Sequence, residues 1–461
     1  MAALIANQVW SRRVFADRLS LKGSKDERLL RALGAIRKGI EGFESSLPMV
    51  MVLGRMRLFV RSYLVPEYNM FPIVFKEISG LSLDEYYSCL CAHLSQYVYI
   101  VPGGENSGIF NSITVTSRVP LLKDIFSKYI ELESRQIEHL SSILWPHPPS
   151  EADPESAFYD YKPLRHSPML IAEDGRASTV DGIFITEKSI VGPLFYVVGK
   201  RPNLANPLFE ALGKAVERYV LSILSGIFAD GSLFKKPQGK NENRQSVEIA
   251  DFWLSMGEAS IFGEIKAVWL KEERILGKDP DDLIKLLREK YGTSFNEEGE
   301  EIFKGAAQLG RSISSLAEKK VAPDNTELNM TKIIYPVLIA FDPLLDCPGY
   351  GYFLNREFMD SLKPDSIEGE LLVKGQFVVA PLIVLTLDDL EMIEQGLIEK
   401  EITIANVIAD YSSQCPDRLT SFHNFLTQTK YKQNLIYSKR LAKQAHAEVL
   451  ELQKLYTPLT K

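Results

Sequence analysis

Apolar positions recur every three or four residues over 27–43 and 49–64, which predicts two amphipathic helices. Residues 82–99 read as a third, opened by Ser82 with Glu85 three positions on, the pattern of a capping box. The period returns over 121–144, so 1–150 is expected to be a mostly helical N-terminal domain. His93 and His139 lie within these helices with no ligand partner at useful spacing, and are expected to be core or surface histidines. A proline-rich, acidic break at 145–156 sets the first boundary.

From 159 the pattern shortens to strands and turns, with Asp174-Gly175 as a hairpin signal. A helix is predicted over 206–228, its apolar face formed by Leu208, Leu212, Val216, Val220 and Leu224, with Glu217 beside the stripe. Residues 233–246 are polar and rich in Gly, Pro and Asn, and are expected to be a loop carrying Lys235, Lys236, Lys240 and Arg244. Two apolar, β-prone runs follow, 247–254 and 260–268, joined by a tight turn at Met256-Gly257-Glu258. A charged insertion (271–301) leads to a helix over 301–318 that carries Gln308. Residues 333–341 read as a strand buried on both faces, although Pro336 argues for an edge or a bulge. Further on, 349–362 is expected to be a short strand entering a helix, and 377–387 another buried strand. Asp388-Asp389 is expected to cap the helix that follows it, and 402–461 to be helical.

Composition changes this picture little. A chain of 461 residues, 45% hydrophobic, can bury a large core. Net charge is −7, unevenly spread: twelve Lys/Arg face five Asp/Glu over 1–61, and seven face two over 430–461. Basic ends suit a polyanion at selected surfaces, and solvated helix faces explain either end equally well. Tyr431 and Tyr437 among the terminal lysines could stack on unpaired bases, whereas a basic helix packed on its own protein is the commoner outcome. Cys89, Cys91, Cys347 and Cys415 show neither zinc spacing nor a disulfide framework, so a reducing, cytoplasmic setting is expected. The N-terminus lacks a secretory pattern, and the apolar run at 48–53 is broken by Arg55 and Arg57, so no membrane partner is expected. No Walker A, GxSxG or dinucleotide fingerprint is present.

The chemistry concentrates in the strand pair. Asp251 interrupts the first run; Glu264 and Lys266 interrupt the second and share a face, because side chains alternate along a strand. Charges in an apolar strand are costly unless paired or engaged with a metal. Carboxylates from neighbouring segments are what a hard divalent cation binds.

In the order helix with Glu217, strand with Asp251, strand with Glu264-Ile265-Lys266, helix with Gln308, apolar strand, the stretch 159–342 resembles the PD-(D/E)XK, restriction-endonuclease-like nuclease superfamily. It departs in having Ala250 before Asp251 and a long insertion before Gln308. The leading run PLRHSPMLI…GPLFYVV is also similar to uncharacterised nuclease-like proteins of bacterial defence loci. The resemblance implies an α/β fold: a nuclease-like core over 151–345 with a mixed sheet flanked by helices, and a strand-plus-helix extension over 346–461. It implies a Mg²⁺- or Mn²⁺-dependent endonuclease acting on nucleic acid, DNA foremost, in bacterial defence or DNA processing. Asp251 and Glu264 would ligate the ion, with Glu217 as an outer or second-metal ligand. Lys266 would orient water or stabilise the phosphorane, and Gln308 would orient Lys266 or touch phosphate. Lys235, Lys236, Lys240 and Arg244 could grip the backbone. The main alternative is a nuclease-fold nucleic-acid-binding or assembly subunit whose cleavage requires a partner or signal; besides nucleic acid, a second protein subunit or a second copy of the chain could be its partner. An unrelated carboxylate hydrolase, or a buried salt bridge in a core sheet, completes the alternatives.

Overall fold

The computed structural model describes residues 49–98, 109–110, 123–136, 166–171, 177–179, 185–186, 188–269, 280–325, 330–369, 371–435 and 438–456. The protein is mixed α/β and divides into two compact units. One draws on Gly42–Ala215 and Tyr437–Lys461, the other on Met1–Glu41 and Val216–Ile436.

The first unit is mainly helical. Helices α1 (Met49–Phe59), α2 (Phe71–Ser79) and α3 (Leu83–Val98) follow one another. The Ser82–Glu85 capping box forms as its sequence predicts: the Ser82 amide donates to Glu85 Oε2 at 2.7 Å, and the Glu85 amide to Ser82 Oγ at 3.2 Å. A four-stranded sheet contains β1 (Ile109–Phe110), β2 (Ser134–Gln136), β3 (Met169–Ile171) and β4 (Ala177–Thr179) in the order β1-β4-β3-β2. The helix expected over 121–144 is therefore shorter: α4 is Lys123–Glu133, and the chain passes at once into β2. His93 is a core histidine, 2% exposed, with Nδ1 3.1 Å from the Tyr129 hydroxyl. His139, the helix over 27–43, the Asp174-Gly175 turn and the break at 145–156 lie outside the described residues. Helices α5 (Gly192–Lys200) and α6 (Ala205–Ile227) follow, and the division between units falls within α6. All five of α6's apolar-face residues are buried.

The second unit is built on a large mixed sheet. Its strands are β5 (Leu233–Lys235), β8 (Phe252–Met256), β9 (Ala259–Lys266), β13 (Ile333–Ala340), β14 (Ser366–Glu368), β15 (Leu371–Lys374), β16 (Phe377–Val379) and β17 (Ile383–Thr386). The order is β14-β15-β16-β13-β9-β8-β5, with β17 also on β13; β13 is parallel to β9, β16 and β17. A smaller antiparallel sheet joins β6 (Gln238–Asn241), β7 (Ser246–Glu248) and β12 (Val321–Pro323). The polar segment 233–246 is thus not a free loop; most of it lies in strands of both sheets. The run 247–254 is likewise split: its start pairs in the small sheet, the chain bends at Asp251, and the rest enters the large one.

Pro336 sits in the middle of the sheet, against expectation. Ile334 O accepts from Ala380 N, so Ile334 and, two residues on, Pro336 face the same neighbouring side. There the ladder jumps from Ile334–Val379 to Val337–Ile383, so the missing N–H of Pro336 falls in a gap. The gap exists because the expected strand 377–387 is two strands, interrupted around Pro381.

Helices α7 (Pro280–Tyr291), α8 (Ala306–Ala317) and α9 (Tyr350–Leu362) share a core with Trp253, Phe262 and Leu338. Helix α8 begins five residues later than its periodicity suggests, because Glu301–Phe303 (β11) pairs with Thr293–Phe295 (β10). Gly305, with φ of 49°, turns the chain into the helix. Residues 349–362 hold no strand before α9, whose N-cap is Gly349. Helix α10 (Leu387–Ile398) is capped by Thr386, with Asp389 closing a capping box, rather than by Asp388-Asp389 itself. Helices α11 (Ile404–Gln414) and α12 (Phe422–Gln428) complete this unit, and α13 (Lys439–Tyr456) belongs to the first. Among the described residues no helix is long and apolar enough to cross a membrane.

Candidate functional site

The β8–β9 hairpin is the framework. Its loop is Gly257-Glu258, and Gly257 adopts the left-handed φ (78°) that a two-residue hairpin turn demands. The register puts Trp253 opposite Phe262 and Phe252 opposite Gly263. Asp251 comes just before the paired register, its amide donating to Gly263 O at 3.0 Å. Period-two alternation then places Trp253, Phe262, Glu264 and Lys266 on one face. Phe262 and Trp253 pack there into the core shared with α8, the helix that carries Gln308.

Lys266 joins the pieces. Its Nζ donates to Glu264 Oε1 at 2.6 Å and to Gln308 Oε1 at 3.1 Å, linking residues 42 positions apart in sequence. Asp251 Oδ2 accepts from the Ile265 amide at 2.7 Å, which pins the carboxylate to the neighbouring strand. Glu217, on the second half of α6, pairs through Oε1 with Lys236 Nζ at 2.6 Å. Lys236 has a left-handed φ of 47° and follows directly on β5.

Electrostatics show how tightly these groups are held. Glu264 is 1% exposed, and Oε2 has no hydrogen-bond partner. Burial, then the charge of Asp251, pushes its pKa up to about 8, although Lys266 pulls it down. Burial also raises Asp251; the Ile265 amide and Lys266 oppose the rise, and Glu217 adds to it. Burial is thus the largest cause of both shifts, and the mutual repulsion of the carboxylates adds to it.

Glu248, on β7, was not a sequence candidate. Its pKa is raised by burial, and it feels Lys236, Asp251, Glu217 and Lys266, so it stands among them. In sequence it lies in the apolar run 247–254, three residues before Asp251, and in the fold it is exposed on β7, ahead of the bend at Asp251. The other basic candidates differ among themselves. Lys235 and Lys240 are exposed on β5 and β6, and Arg244 is exposed in the β6–β7 connection at φ 60°. Outside the hairpin, Tyr431 follows the commoner expectation of packing on its own protein, whereas His423 gains a partner that its sequence did not show. Tyr431 is 4% exposed and donates to Asp410 Oδ2 at 2.6 Å, so it offers no ring for stacking. His423, partnerless in the sequence, lies with Nδ1 3.1 Å from Asp389 Oδ1.

Among the described residues, no three or more His, Cys, Asp and Glu side chains form a ready-made metal cage. Magnesium, however, is commonly held by one or two carboxylates and keeps several waters. Asp251 and Glu264 fit that demand: two carboxylates whose charges interact, one with a buried, unpartnered oxygen and a pKa raised by burial and then by the other's charge. Comparison with known families, curated proteins and solved structures found no match.

Proposed function

We propose that the chain is a metal-dependent nuclease that hydrolyses phosphodiester bonds of nucleic acid, DNA foremost, on a restriction-endonuclease-like core. The observation that carries this reading is the Lys266 ammonium held between Glu264 and Gln308, beside Asp251. The order α6, β8, β9, α8, β13 supports it, since it is the order in which the PD-(D/E)XK resemblance places its residues. Asp251 and Glu264 would hold Mg²⁺ or Mn²⁺, which supplies Lewis-acid polarisation of the phosphate and lowers the pKa of a bound water. Gln308 fixes the Lys266 ammonium, so that its positive charge is already in place where negative charge develops on the phosphate. Glu217 and Glu248 extend the acidic wall, and Lys235, Lys240 and Arg244 supply cations for the backbone.

A second reading, a nucleic-acid-binding or assembly subunit, is favoured by one observation: Lys266 already engages Glu264 and Lys236 already engages Glu217. A site with its acids paired to lysines needs a rearrangement before it takes an ion.

The test is incubation with supercoiled, linear and single-stranded DNA and with RNA, in Mg²⁺, Mn²⁺ and EDTA. The nuclease reading expects cleavage in metal that is abolished by EDTA and by Asp251→Asn. This variant keeps an acceptor for the Ile265 amide. Binding without cleavage in any metal favours the second reading. Cleavage that survives Asp251→Asn refutes the site.

A further inference from the structure

A cavity of about 490 Å³ opens at the junction of the two sheets of the second unit, where outer strand β5 passes into β6 and β12 ends. That volume lies within the roughly 300–1,000 Å³ typical of small-molecule sites. Phe234, Lys235, Lys236, Asp324 and Asn325 are among its lining residues. We propose that this cavity is a subsite for one unpaired nucleotide of the substrate strand, next to the bond that is cut. The assignment rests on the nucleic-acid reading above and names the part of the substrate that the site would hold.

Three observations point to a nucleotide rather than a bare anion or an apolar ligand. First, the Phe234 ring is stacked on Trp253 at 4.8 Å and 26°, and Trp253 on Phe262 at 5.9 Å and 21°. Trp253 is 1% exposed, so the aromatic wall is backed by rigid core, a suitable platform for a planar base. Second, Lys235 and Lys236 bring two cations to the same cavity, which suits a phosphate at one end of the ligand. Third, Asp324 lines it as well. A site for phosphate alone gains nothing from a carboxylate, whereas the amino group on a base edge donates to one.

Position links the cavity to the chemistry. Lys236 both lines it and pairs with Glu217 at 2.6 Å, so one side chain borders the cavity and the candidate site. A phosphate entering beside Lys236 competes with Glu217 for its ammonium. A base paired in a duplex has its edge covered and both faces stacked, so only an extruded or single-stranded nucleotide can enter.

The test measures binding in EDTA, where turnover is absent, by fluorescence anisotropy of a labelled single-stranded oligodeoxynucleotide and of its duplex. The unaltered chain is compared with Phe234→Leu, which keeps an apolar side chain against Trp253 but removes the stacking ring. Losing a base–aromatic stack lowers affinity by roughly 5- to 150-fold. Phe234→Leu should therefore weaken single-strand binding within that range and leave duplex binding nearly unchanged. Lys235→Ala, an exposed position that keeps the fold safe, should weaken binding and reduce the slope of log affinity against log salt by about one ion. Single-strand affinity unchanged in both variants overturns the subsite, as does equal loss for strand and duplex. If the wild type cuts, Asp251→Asn stops it and neither cavity variant binds differently, the subsite alone fails. If the wild type neither binds nor cuts, the nucleic-acid reading falls and the subsite with it.

Discussion

Replacing Lys266 with Ala tests the electrostatics of the site, and the cost should depend on pH in a specific way. Removing one partner of a buried ion pair typically costs roughly 3–5 kcal/mol. That figure assumes a charged carboxylate. A pKa pushed up to about 8 by burial and Asp251 predicts that Glu264 is protonated in the folded protein at neutral pH. At pH 6–7 the variant therefore loses one hydrogen bond to a neutral acceptor, about 0.5–1.5 kcal/mol. The folded pKa lies above the unfolded value of about 4.3, so the folded state binds the extra proton between them. Glu264's favourable contribution is complete below about pH 4.3 and is lost as pH rises through about 8. Lys266 lowers that pKa, so Lys266→Ala raises it further. Wild type and variant then diverge above pH 8, by at most about 1.4 kcal/mol per pH unit. The cost should be about 1 kcal/mol at pH 6–7 and roughly 2–3 kcal/mol at pH 9. Urea denaturation followed by circular dichroism at pH 6, 7, 8 and 9 measures it. A flat cost of 3–5 kcal/mol across that range would mean that Glu264 is ionised throughout, and the argument would be wrong. On the nuclease reading proposed above, cleavage in the same preparations should fall by roughly 10²–10³-fold, as when a preorganised electrostatic partner is removed.

Gly263→Ala would put its Cβ 1.9 Å from the Phe252 ring, an overpacking expected to cost about 1–3 kcal/mol and to lower the melting temperature; an unshifted melt would show that β8 gives way freely. Gly310→Ala would meet the Phe358 carbonyl oxygen at 2.5 Å, and backbone cannot rotate aside, so the same assay should place its loss near the top of that range. At His423, burial lowers the pKa, but the Asp389 hydrogen bond and the charges of Asp389, Asp346 and Asp388 outweigh it and raise the value. Its stabilising contribution is present below about pH 6.5 and lost as pH rises through the folded value. Asp389→Asn should move the His423 NMR titration midpoint down, and an unmoved midpoint would remove Asp389 as the cause.

Local chemistry made much of the site readable in the chain itself. Alternation put Glu264 and Lys266 on one face, Gly257 marked the hairpin, and the four-and-three spacing of α6 marked the face beside Glu217. These features depend on neighbours within a few residues. What depended on distant partners was legible only in the folded chain. Periodicity cannot tell that Glu301–Phe303 will find Thr293–Phe295 and delay α8, or that Pro336 will meet a gap between two short strands. The segment 233–246 looked like loop because its residues have low β-propensity, yet pairing in two sheets overrides propensity. Glu248 was missed for the same reason: its run 247–254 reads as one strand, and the bend at Asp251 that divides it between two sheets is a tertiary event. The contact of Lys266 with Gln308 likewise needed α8 to pack on the hairpin's apolar face, burial that no window of sequence contains.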